Sequence, residues 1–192
     1  MMREGQPMFD PIIFDNIKVV LEGAVYDRDL AGQIAVTARA DLVDLAAYGR
    51  EYRITFCLAE DKEKKDAVSA QIALRTTLLD IASEQLEMPV AEQIGCTICV
   101  HFMLHVADWN RETRWITSVL DGIWGDRPHI TQYIGTRLDE HRSSLWPPER
   151  YENKVTLDFH RKIGEGNIED LYELVEHCVA SVARLRDGMG GS

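Results

Sequence analysis

The residues best suited to chemistry in this chain are two cysteines and two histidines on one apolar run, Cys96-Thr97-Ile98-Cys99 followed by His101 and His105. Thiolate and imidazole are the usual ligands of zinc, and a CxxC spacing can bite one ion. Read as a strand, Thr97 to Ala107 puts Cys99 and His101 on one face about 6.6 Å apart and leaves His105 about 13 Å beyond His101. Cys96 need not point the same way, and no second CxxC or HxxxH completes a set of four. Cys99 and His101 are therefore the metal candidates. The expectation is a buried strand in which small thiols and hydrogen-bonded imidazoles pack without metal or other cofactor.

A second pair is Asp158 and His160, which fall on the same face of a short strand and could act as an orienting carboxylate and a general base. The serines that could serve as nucleophile, Ser143 and Ser144, lie in a loop, and no Gly-x-Ser-x-Gly elbow supports either. The familiar nucleotide loops, Gly-x-x-x-x-Gly-Lys-Ser/Thr and Gly-x-Gly-x-x-Gly after a strand, do not occur. Residues of the kind that dominate protein interfaces are present: Trp109, Trp146, Arg142 and Arg150 are the candidates for partner binding, Trp146 being pre-extended beside Pro147 and Pro148. Trp115 and Trp124 read as core.

Composition narrows the classes. The 192 residues suffice for one sizeable core, and 45% hydrophobic with 28% charged side chains is an ordinary globular balance. The 32 acidic and 21 basic residues give a net charge of −11, which repels a phosphate backbone unless the bases gather on one face; Lys62-Glu63-Lys64-Lys65 is the densest basic stretch and is broken by an acid. Nucleic acid is not expected as a partner. The most apolar stretch, Ile98 to Val106, carries two histidines and falls far short of the roughly 20 residues a membrane helix needs. Met1-Met2-Arg3-Glu4-Gly5 leads into no apolar signal segment, so a cytoplasmic, reducing location is expected for the four cysteines.

Positioning these residues requires an α+β scaffold. Residues 1–16 read as a loose leader and 17–187 as one globular domain, with 188–192 frayed. Ile17, Val19, Leu21 and Val25 alternate as a strand over Ile17 to Tyr26, pairing as a hairpin with Gln33 to Ala38. A short helix over Leu42 to Tyr48 precedes a third strand, Tyr52 to Leu58. A long helix follows from Lys62 to Glu87, stopped by Pro89. Thr97 to Ala107 is a central strand with both faces too apolar for bulk water. Trp115 to Gly122 and His129 to Ile134 extend it into a meander, Arg137 to Arg150 is loop, and Lys154 to His160 is the last strand. Asn167 then caps an amphipathic helix whose stripe is Ile168, Leu171, Leu174, Val175, Cys178, Val182 and Leu185. The sheet is expected to be antiparallel with the two long helices packed on a face. Both halves, 17–87 and 97–187, read as hairpin, spacer, strand and helix, which allows two ββ(x)βα half-units.

The stretch Leu86 to Ile134, through Met88-Pro89-Val90, Gln93-Ile94, Val100-His101 and Arg114-Trp115-Ile116-Thr117, resembles the C-terminal hairpin region of secretion ATPases. It spans about a quarter of the chain, lacks the nucleotide site, and implies no activity here. The function expected from these residues is a non-enzymatic protein-binding or adaptor module, working as a homodimer. The alternative is a small hydrolase or metal-dependent enzyme using His101, His105, Asp158 or His160.

Overall fold

The computed structural model describes residues 12–85, 95–137 and 147–189. Among them the chain runs α1 (Ile12–Leu30), β1 (Ile34–Asp44), β2 (Gly49–Leu58), β3 (Ser69–Thr76), α2 (Leu78–Gln85), β4 (Cys96–Val106), α3 (Trp109–Trp124), β5 (His129–Gly135), β6 (Tyr151–Ile163) and α4 (Asp170–Met189). The six strands form one antiparallel sheet in the order β1-β2-β3-β4-β6-β5. The α+β class and the antiparallel sheet are as the sequence implied. Packing contacts put α1, α4 and α3 on one face of the sheet, with α4 between the other two.

Four elements differ from the sequence expectation, and buried residues or local hydrogen bonds explain each. The first expected strand is α1. Ile17, Leu21 and Val25 satisfy both periods, but Phe14 and Ala24 complete a helical stripe that is wholly buried, whereas Val19, needed inward by the strand, is 62% exposed. Residues 12–16 accordingly belong to the helix rather than to a loose leader, and the hairpin partner of β1 is β2. The long helix expected over Lys62 to Glu87 is a turn, the strand β3 and the short α2. Ile72 and Leu74 are both fully buried, an i, i+2 relationship that one helix face cannot provide, while Leu79 from the proposed stripe is exposed.

The third is α3, expected as a strand. Ile116, Leu120 and Trp124 are buried at i, i+4 and i+8, Asp108 Oδ1 accepts the amide of Arg111 at 3.1 Å, and Glu112 accepts that of Ala107 at 2.8 Å. Gly125, at φ +64°, closes its C-terminus, donating to Asp121 O. The meander is thus broken by a helix, and residues 86–94 of the stretch that resembles the secretion ATPases lie outside the described residues. The short helix expected at Leu42 to Tyr48 is the end of β1 and its turn: Asp44 Oδ1 takes the amides of Ala46 and Ala47, and Tyr48 adopts φ +51°. With these assignments the first half reads helix, hairpin, strand, short helix, and the second reads strand, helix, hairpin, helix, so the shared order behind the half-unit idea is not present. The strands β4, β5 and β6 and the helix α4 stand where they were expected, each with ends shifted by up to a few residues.

Gly95 enters β4 against the backbone of β6, and a Cβ there would overlap the carbonyl oxygen of Ile163. Since backbone cannot yield as a side chain can, Gly95→Ala should lower stability by on the order of 2 kcal/mol or more. Chemical denaturation of the variant checks this.

Candidate functional site

Alternation along a strand sends neighbouring side chains to opposite faces. On β4 the even residues Cys96, Ile98, Val100, Phe102 and Leu104 are buried under the helices, and the odd ones, Thr97, Cys99, His101, Met103 and His105, lie on the face that no described helix covers. The ladder registers assemble this face into cross-strand rows. One row is Arg53, Ala73, Cys99, Asp158 and His129; the next is Thr55, Gln71, His101, Thr156 and Thr131; the third is Cys57, Ser69, Met103, Lys154 and Tyr133.

The structure separates the CxxC pair. Cys96 is in the core opposite Ile163, where burial pushes its thiol up to about 12, whereas Cys99 is half-buried on the other face opposite Asp158. The two thiols cannot share an ion, and among the described residues no three His, Cys, Asp or Glu groups converge as a metal site. Burial, and after it the charge of Asp158, raises the Cys99 thiol as well, so both effects oppose the nucleophilic thiolate.

His101 is 8% exposed and its Nδ1 lies 3.0 Å from Thr156 Oγ1, as the expectation of a hydrogen-bonded buried imidazole required. Beside it Gln71 donates to Thr55 Oγ1 at 3.0 Å. Burial first, then Lys154, Arg75 and Arg53, hold its pKa down to about 4. A neutral imidazole with a satisfied nitrogen makes this row a structural polar seam.

Asp158 and His160 are brought together, Nδ1 to Oδ1 3.4 Å, but at a bulge rather than on a regular strand. His160 adopts φ +49°, its amide donates to Asp158 Oδ1 at 2.8 Å, and its ring stacks at 5.7 Å against His129. The carboxylate thereby holds a strained turn and an exposed imidazole. Ser143 and Ser144 lie outside the described residues.

Of the partner candidates, Trp109 is 55% exposed at the start of α3 and Arg150 is exposed before β6, 3.6 Å from Asp66; Trp146 and Arg142 lie outside the described residues. Trp115 is partly buried against the core and Trp124 is buried. The sequence reading missed the hairpin of β1 and β2, where Leu42, Val43, Leu45 and Tyr48 are all between 45% and 78% exposed. The signal was Asp44 followed by Ala46 and Ala47, turn chemistry hidden inside a stretch read as helix.

Clefts of ligand size lie among the described residues. One, about 700 Å³, lies between α3, α4 and β6 and balances Arg127 and Arg161 against Asp170 and Glu173. Another, about 530 Å³, crosses the helix-free face from β3 to β5. Among the described residues this arrangement defines a two-layer α+β protein with helices on one sheet face only and with β1 and β5 as the edge strands. A scan of family models, a search of characterised proteins and a search of solved structures each find no match.

Proposed function

We propose that this chain is a non-enzymatic protein-binding or adaptor module that works as a homodimer, with the β1 edge as its self-association surface. One observation carries the reading: β1 is an 11-residue edge strand whose far end, with the following turn, displays Leu42, Val43 and Leu45 to solvent. Long apolar edges invite pairing with another chain. An antiparallel pair of β1 strands about a two-fold axis through Ala40 is self-complementary. It sets Arg39 of each copy opposite Asp41 of the other, and Ala38 opposite Leu42, so the Arg39–Asp41 pair occurs twice across the axis. Arg39 has 56% of its side chain exposed and pairs with Glu22 at 3.0 Å, and Asp41 is held by Lys18 and Arg50, so the pairing across the axis shares charges that already have partners within the chain.

The four thiols are free, which supports a reducing, cytoplasmic setting. Among the described residues no helix is long and apolar enough to cross a membrane.

Light scattering on the purified chain tests the reading. The wild type is expected as a dimer at tens of micromolar. Val43→Lys, at a position 64% exposed in the monomer, is expected to dissociate it with monomer stability unchanged within about 0.5 kcal/mol. Arg39→Glu should weaken it through like charges at Asp41. A wild type that is monomeric at these concentrations, or a dimer indifferent to both changes, overturns the reading.

A further inference from the structure

We infer that the cleft across the helix-free face is a binding site for a small organic anion, a molecule carrying two or more negative charges on an apolar or aromatic body. The cleft runs across β3, β4, β6 and β5, away from the β1 edge. In a chain with 32 acidic and 21 basic residues, a random concavity should be acidic. This one is lined by Lys65, Lys154, Arg137 and His105, with Glu152 as its one carboxylate. Among the described residues, no acidic group forms an ion pair with Lys65, Lys154 or Arg137, whereas Arg28, Arg39, Arg50, Arg53 and Arg75 all hold carboxylates. Unpaired cations gathered in a concavity are what an anion would neutralise.

The remaining lining describes the rest of the ligand. Met103 on β4 and Tyr133 on β5 stand on the row that Lys154 joins, and Tyr133 is 73% exposed, presenting its ring to the cleft. Ser69 and Thr136 add hydroxyls at opposite ends. From Ser69 on β3 to Tyr133 on β5 is three strand spacings, about 14 Å, enough for a phosphate or paired carboxylates at one end and a ring over Tyr133 at the other. His105 is drawn to the rim by Asp66, 3.9 Å away, and adds positive charge when protonated.

Titration of the full chain with 2-naphthyl phosphate, followed by calorimetry and by amide shifts, tests this. The expected result is saturable one-to-one binding with shifts at Ser69, Met103, Tyr133 and Gly135. Lys154→Ala and Lys65→Ala should each weaken it by about tenfold. Both lysines are exposed, so the variants should fold, and Lys62→Ala, outside the cleft, should bind as the wild type does. Inorganic phosphate should bind about tenfold more weakly or worse; equal affinity would overturn the aromatic half of the assignment. No saturation by about 5 mM, shifts on another face, or affinity indifferent to both cleft lysines would overturn the site.

Discussion

Trp124→Ala is expected to lower the free energy of unfolding by about 3–5 kcal/mol, read by urea denaturation followed by circular dichroism. Trp124 is 7% exposed and ties three elements together. Its ring packs 5.6 Å from Phe159 on β6 and 5.2 Å from His177 on α4, and its indole N–H donates to Ser181 Oγ at 3.0 Å. Ser181 is fully buried and itself donates to the carbonyl of His177 at 2.7 Å. The two chemistries separate. Trp124→Phe removes the N–H but fills most of the volume, and the serine keeps its other partner, so a loss of only about 1–2 kcal/mol is expected. Alanine and phenylalanine variants of equal stability would mean that the ring does not fill the junction of α3, α4 and β6.

The second large effect is a pH dependence. His101 in the folded chain titrates at about 4, against an ordinary value of 6.5, so the unfolded chain holds more protons between those limits. Stability therefore rises with pH through this window. The contribution is present in full above about pH 6.5, falls as the pH drops through the window, and is wholly lost below about pH 4. Between pH 7 and pH 5 the histidine alone should cost about 2 kcal/mol. Carboxylates titrate nearby, so the comparison is with His101→Gln, which keeps a polar group for Thr156 and removes the proton site. The wild type should lose about 2 kcal/mol more than the variant over that interval. Equal slopes for the two proteins would show that the imidazole is protonated as readily folded as unfolded. Lys154 contributes to holding His101 neutral, so a charge change at the cleft is also felt in the polar seam.

The candidate site was legible in part. Alternation alone placed Cys99 and His101 on one face of an interior strand, and Asp158 near His160. What it could not supply was the cross-strand register, which puts Cys99 opposite Asp158, Met103 opposite Lys154, and Lys154 opposite Tyr133. Nor could it supply the cleft, whose walls come from chain positions as far apart as Lys65 and Lys154. The exposed hairpin was hidden for a related reason: with Leu42 to Tyr48 read as helix, no edge strand existed to display its apolar residues.

Strong local periodicity was enough for α4, whose stripe has no competing strand reading, and for β4, whose alternation runs uninterrupted from Cys96 to Val106. Net charge, cysteine content and the α+β class were likewise matters of composition and pattern. Packing chose between the alternatives elsewhere. Ile17, Leu21 and Val25 suit a helix and a strand equally, because positions four and eight apart share a face in both. The choice fell to Phe14 and Ala24, which gain burial only in the helix against β1 and β3. In the same way Ile72 and Leu74 gain theirs only as a strand between β2 and β4. Burial depends on neighbours supplied by distant parts of the chain, so which stripe faces inward, which sheet face stays bare and which charges share a cleft are properties of the assembled fold.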